Sequence, residues 1–250
     1  MNIIVFDTET TGLIKPHMIE LACLYKRENE EIKNITFKVK PDVPIMPSAT
    51  IIHGITQAEA QTYPEADQAI DAIYTFLSTF PSDTLFVAHN ISFDTSVLNH
   101  MFDKYLYKTF EPKNTLDTIK FAKKMISKSD IGGYKLDAVF YYLFPDKLKY
   151  LFESRVIHDA DTDCSLTYQV LVELKNRLDQ KNGTTSEWSE LAEFIELPMD
   201  LSEGTWAFGK HKGIKFKDTP KGYIRWCLTS DFGQDAKNAD IIYTLKKYEN

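Results

Sequence analysis

Apolar and polar positions along the chain fall into two periodic patterns. Residues 3–6 (IIVF) form a short apolar run of β-branched and aromatic residues, followed at once by Asp7-Thr8-Glu9-Thr10. Such a run predicts a buried strand. Two more strands are predicted at MIELACLYKR and IKNITFKVKP, joined by the polar turn ENEE, so the first three strands make an antiparallel meander. The prolines of PDVPIMPSAT impose an extended connection, and SATIIHG predicts a short helical turn ending at Gly54. From Tyr63 to Phe80, apolar residues at 66, 69, 70, 73, 76, 77 and 80 recur at helical spacing. TLFVAHN predicts another buried strand, and the helix after it takes Ser92 as its N-cap. A further short strand ends in TLDT. Helices follow at TIKFAKKMI and at YKLDAVFYYLF, the second broken by Pro145, and a long striped helix begins at ADTDCSLTYQ.

Strands first, then strands alternating with helices, predict an α/β fold: a mixed sheet flanked by helices. The polar stretch Asp179–Trp188 reads as a linker and divides the chain into a domain at 1–178, a linker region at 179–202 and a small C-terminal module at 203–250. Charge changes across that divide. The formal net charge is −7, but residues 1–202 carry −10 and residues 203–250 carry +3.

Composition narrows the class. With 43% hydrophobic residues in 250, a packed core is expected. No apolar run approaches the roughly 20 residues of a membrane span, and the N-terminus lacks the pattern of a signal peptide. Cys23, Cys164 and Cys227 are far apart and odd in number, so neither a zinc site nor a disulfide framework is implied. These features predict a cytoplasmic protein in a reducing setting. The acidic balance argues against broad coating of nucleic acid. It leaves room for a nucleic-acid enzyme whose metal ions carry the positive charge.

Three acidic elements carry the candidate chemistry. Asp7 and Glu9, two apart on a strand, share one face. Two like charges this close repel, so one carboxyl protonates, the pair lies in water at a strand end, or it holds a divalent cation. Asn90 and Asp94 flank the start of a helix, where Asp94 either compensates the helix dipole or joins a site; Phe93 beside it is core or a wedge against a base. His158, Asp159, Asp161 and Asp163 stand just before or within the first turn of the long helix. Three aspartates there are either an acidic helix start or part of a site, and His158 is either a surface residue or a proton acceptor near neutral pH.

In order and at domain-scale spacing, Asp7-Thr8-Glu9, Asn90-Ile91-Ser92-Phe93-Asp94 and His158-Asp159-Ala160-Asp161-Thr162-Asp163 closely resemble the motifs of the DEDDh (DnaQ-like) 3′→5′ exonucleases, which have a ribonuclease H-like fold. The resemblance covers roughly residues 1–178. It implies that Asp7, Glu9, Asp94 and Asp163 hold two Mg²⁺ ions, with Mn²⁺ as a substitute, and that His158 is the general base. TTGL after Glu9 and HGIT (His53–Thr56) also resemble family features, which implies that Thr10, Gly12 and His53, with Asn90 and Phe93, hold the terminal nucleotide. TLDT around Asp117 is a minor match. The expected substrate is DNA at a single-stranded 3′ end, releasing nucleoside 5′-monophosphates, with a place in DNA repair and no membrane association. An exoribonuclease of the same family and a catalytically silent nucleic-acid-binding module are the alternatives.

The tail supplies the other distinctive stretch. Residues 208–225 carry Lys210, Lys212, Lys215, Lys217, Lys221 and Arg225 against Asp218 alone, interleaved with aromatics. Basic and aromatic residues together suit single-stranded nucleic acid. A small module also needs aromatics for its own core, and a lysine run also makes an ordinary solvated face. The pattern FGKHKGIKFKDTP resembles the C-terminal module of the exonuclease X branch of the family.

Overall fold

The computed structural model describes residues 1–147 and 160–249. They form two compact units, Met1–Ala192 and Glu193–Asn250. Among the described residues of the first unit, five strands make one mixed sheet in the order β3-β2-β1-β4-β5: β1 (Ile3–Thr10), β2 (Met18–Lys26), β3 (Lys33–Lys38), β4 (Leu85–Ala88) and β5 (Asn114–Asp117). The first three strands are the predicted antiparallel meander, and β4 and β5 add in parallel beside β1. The fold is the ribonuclease H-like mixed sheet flanked by helices.

Alternation along β1 assigns its two faces. Ile4 and Phe6 join Met18, Leu21 and Cys23 of β2 in a core closed by the helices Ala66–Ser78 and Ile91–Leu106. A fully buried Phe or Ile contributes roughly 1.5–3 kcal/mol relative to an exposed one, so this face locks the strand register. The opposite face carries Asp7 and Glu9. It is covered by the helix Ala160–Asn182, whose residues Ala160, Cys164, Thr167, Leu171, Leu174 and Leu178 recur at steps of three and four and are buried. The Cys164 thiol donates to the Ala22 carbonyl of β2 at 3.3 Å, which fixes the start of this helix against the sheet. All three cysteines are buried and free.

One local expectation differs from what is observed. The helix bearing Asp94 begins at Ile91, so its cap is Asn90 in a left-handed conformation (φ 84°), and Ser92 lies inside, donating to Asn90 Oδ1 at 3.2 Å. Asn visits this region at lower cost than most residues. Within residues 179–202, the long helix runs on to Asn182 and a further helix spans Trp188–Glu196. Among the described residues, no helix is long and apolar enough to cross a membrane.

Candidate active site

The site lies where the parallel strands β1 and β4 end. Asp7 and Glu9 project from β1. The long helix, docked by its buried stripe, brings Asp163 of its first turn to them: oxygens of Asp7, Glu9 and Asp163 all lie within 4.8 Å of one another. Asp94 approaches from the other face of the sheet. It is 2% exposed, and its Oδ1 accepts from the Thr8 backbone N–H at 3.0 Å and the Thr8 hydroxyl at 2.7 Å. Thr8 points opposite to Asp7 and Glu9, which is why Asp94 sits beside the cluster of three and not within it. His158 and Asp159 lie outside the described residues.

Electrostatics express this convergence. The Asp7 carboxyl is held well above the usual carboxylate range, by burial first and then by the charges of Asp94, Asp163, Glu9 and Glu20. Burial pushes Asp94 up to about 7, against the two hydrogen bonds from Thr8. Three hard oxygen donors crowded at the end of a buried strand fit a divalent cation of the Mg²⁺ kind, whose charge offsets the repulsion that otherwise keeps protons on the cluster.

A pH dependence follows. Raised carboxyl pKa values stabilise the metal-free fold at low pH, and for Asp94 that stability is lost as pH rises from about 4 to about 7. A metal must displace the retained protons, so its affinity rises with pH over the same range and levels off above it. His17 and His89, lowered mainly by burial, add an opposite slope below their ordinary range, but they affect metal-free and metal-bound protein alike. At a fixed sub-saturating Mg²⁺ concentration, the rise in Tm on adding metal is expected to be small at pH 5.5 and to grow through neutral pH. Release of one proton corresponds to about tenfold in affinity per pH unit. Thermal melts with and without metal at several pH values check this, and an increment that is constant or shrinks with pH contradicts it.

Around the carboxylates, the loop after β1 is tied down at several points. The Thr11 N–H donates to the His17 carbonyl at 2.9 Å, the His17 N–H to Thr11 Oγ1 at 3.1 Å, and the Met46 N–H to the Thr11 carbonyl at 2.8 Å. Thr10 Oγ1 donates to the Gly12 carbonyl at 3.1 Å. Gly12 has φ +151°, a conformation that favours glycine, and a Cβ there would lie 2.8 Å from Met46 Cγ, so another residue would strain the backbone and push the exposed Met46 side chain aside. His53 ends the helix Pro47–His53, and its Nδ1 accepts from the Ile55 N–H at 3.0 Å, which leaves Nε2 as the donor of the neutral ring. His53 shares a cavity of about 270 Å³ with Glu9, Glu20 and Tyr63. Phe93 is half-buried against the core that contains Ile4 and Phe6.

A second cavity, of about 690 Å³, runs from Asp7 and Asp163 past Asn90 to Lys123, Lys128 and Lys135, with Asp137 as its remaining acid. His89 anchors its far wall. One ring nitrogen lies 2.9 Å from Thr118 Oγ1 and the other 2.8 Å from the Tyr134 carbonyl. Asp117 braces the same corner, accepting from the Asn90 and Ile119 backbone N–H groups at 3.3 and 2.8 Å.

Glu20 escaped the sequence reading. It pairs with Glu9 across β1–β2 and with Lys38 across β2–β3, so the three side chains form one row on the site face. It is 5% exposed, with Lys38 Nζ 4.0 Å from its carboxylate. Its signal in the sequence was a lone acid in the apolar run MIELACL.

The sequence matches the RNase_T exonuclease family over residues 4–171. Exodeoxyribonuclease 10 of Escherichia coli (strain K12) is 28% identical over 250 residues, which cover 98% of this chain and 97% of that protein. DNA polymerase III subunit epsilon of Rickettsia felis is 30% identical over 178 residues, covering 68% of this chain and 72% of that one. Among solved structures, exonuclease X in complex with 5′ overhanging duplex DNA superposes with a TM-score of 0.50 at 24% identity, over 76% of this chain and 99% of that one. The zinc-bound complex of E. coli exonuclease I with single-stranded DNA gives 0.57 at 20% identity, over 72% of this chain and 41% of that one. At these identities the two structures establish the fold.

Proposed function

We propose, from the premise that this chain belongs to the RNase_T exonuclease family, that it is a metal-dependent 3′→5′ exodeoxyribonuclease of the DEDDh type that releases nucleoside 5′-monophosphates. The observation that carries the reading is the convergence of Asp7, Glu9 and Asp163 within 4.8 Å, with Asp94 bonded to Thr8 beside them. DNA is favoured over RNA because exodeoxyribonuclease 10 aligns with the chain along nearly its whole length.

In this reading Asp7, Glu9, Asp94 and Asp163 hold the metal. Two divalent ions bound there would lower the pKa of the attacking water and offset charge on the leaving 3′ oxygen. His158 takes the proton from the water as it attacks phosphorus. Thr8 keeps Asp94 fixed through its two hydrogen bonds. Thr10, Gly12 and His53, with Asn90 and Phe93, hold the terminal nucleotide. Lys123, Lys128 and Lys135 carry the strand's phosphates along the larger cavity. A cytoplasmic location agrees with this activity.

The test is digestion of end-labelled DNA and RNA of one sequence, side by side, with Mg²⁺ and with EDTA. Stepwise shortening of DNA from the 3′ end, faster than of RNA and abolished by EDTA, is expected. Faster shortening of RNA would make the enzyme an exoribonuclease, and binding without cleavage would make it a silent module.

A further inference from the structure

The second unit has a small core of its own and an aromatic surface outside it. Its core is Trp206, Phe216, Ile224, Cys227 and Leu245. Trp206 is 1% exposed and donates from Nε1 to Thr219 Oγ1 at 2.8 Å, so it is spent on packing. Phe208 and Trp226 are not: they are 48% and 50% exposed. They belong to one aromatic surface. Tyr223 stacks on Trp226 with ring centres 5.3 Å apart and planes 24° from parallel, and Phe232 lies 6.0 Å from Trp226 and 6.4 Å from Phe208. Adjacent large rings left half in water forgo much of what burial offers, and such patches mark contact surfaces.

Beside these rings the chain makes a tight turn. Gly209 and Gly213 take φ +75° and +85°, the left-handed values glycine tolerates. The Gly213 N–H donates to the Trp206 carbonyl at 2.8 Å and the Ile214 N–H to the His211 carbonyl at 3.0 Å. The turn presents Lys210-His211-Lys212, and the His211 ring packs 4.3 Å from that of Tyr223. Lys210 and Lys212 are exposed and pair with no carboxylate among the described residues, whereas Lys237 and Lys247 of the same unit lie 2.6 and 2.5 Å from Asp235 and Asp200. Exposed rings bordered by uncompensated cations match both parts of a single strand, its base faces and its phosphates.

We propose that the unit Glu193–Asn250 carries a second, non-catalytic site for single-stranded nucleic acid, in which bases stack on Trp226 and Phe208 while Lys210 and Lys212 take phosphates. Charge selects this occupant over a protein surface. Lys215, Lys217 and Arg225 are also exposed and without carboxylate partners among the described residues, and residues 208–225 hold six Lys and Arg against Asp218, a local excess of positive charge that suits a polyanion. The site needs no catalysis, and it rests on the exonuclease reading only for the choice of DNA as probe.

The test is fluorescence anisotropy of a labelled 20-nucleotide oligo-dT with the full-length chain in EDTA, so that no strand is cut. Trp226→Ala is expected to weaken binding about tenfold, within the range for loss of one stacked base. The Lys210→Gln/Lys212→Gln double variant is expected to make the slope of log affinity against log salt shallower by about 1.4. These lysines support no packing, so the salt slope reads the site without the risk of unfolding that a tryptophan change carries. Hydrolysis of a dinucleotide in Mg²⁺ stays at the wild-type rate in both variants. Unchanged affinity and salt slope would overturn the proposal. So would unchanged affinity with loss of a dimer on gel filtration, which would make the patch an interface between copies of the chain. A wild type that binds the oligonucleotide in this way but cuts nothing would sink the catalytic reading and leave this site standing.

Discussion

Asp7→Asn is expected to abolish hydrolysis and, in the same variant, to raise the Tm of the metal-free protein above pH 7. Both effects have one cause. Asp7 stands among Asp94, Asp163, Glu9 and Glu20, and burial together with those charges opposes its ionisation. Above neutral pH the cluster is forced toward full charge, and the fold bears the repulsion. Asn has nearly the same shape and no charge, so the packing around it survives while the repulsion falls. It is also a poor ligand for a hard divalent ion, and loss of a direct ligand should exceed the roughly 10–100-fold cost of losing an indirect one. Gain in stability with loss of activity is the pattern of a site whose strain serves function. Single-turnover digestion in Mg²⁺ and melts in EDTA at pH 8 measure the two effects. Wild-type activity in the variant would refute the metal assignment, and a lower metal-free Tm would show that the Asp7 carboxylate supports the fold.

How far this site could be read from the sequence depended on how local each signal was. The run 3–6 (IIVF) leading into Asp7 needed only its own residues to announce a buried strand ending in two acids on one face. Asp163 was placed beside them through an ordered motif, and its physical reason is the stripe Ala160, Cys164, Thr167, Leu171 that docks the helix. Glu20 could not be found this way. Its meaning comes from standing opposite Glu9 in the β1–β2 register, a property of two strands and not of the run MIELACL. Residue preference points to Ser92 as the cap, yet a left-handed Asn90 begins the helix, braced through its N–H by Asp117 from a different strand. In the tail, Trp206 and Trp226 look alike in sequence. One is core and the other half in water, because burial is decided by what packs around a residue.

His158→Ala is expected to lower the single-turnover rate by roughly 10²–10⁴-fold, the usual worth of a general base, with metal and substrate affinities little changed. His158 lies outside the described residues, so the argument rests on its place in the chain. It stands two residues before Ala160, the first residue of the helix whose opening turn bears Asp163. A side chain so placed lies next in sequence to the carboxylate cluster without belonging to its oxygen donors. Four carboxylates already suffice for hard cations, which prefer oxygen ligands. In the proposed mechanism the proton of the attacking water still needs an acceptor, and an imidazole exchanges protons near neutral pH. If His158 is the base, the wild-type rate is expected to rise with pH on the acid side and the variant to lose that rise, while the metal concentration giving half-maximal rate stays put. Titrating Mg²⁺ and Mn²⁺ at several pH values, with rates taken at saturating metal, separates the roles. A large drop in metal affinity with a nearly wild-type saturated rate would make His158 a ligand and leave the general base to be sought elsewhere.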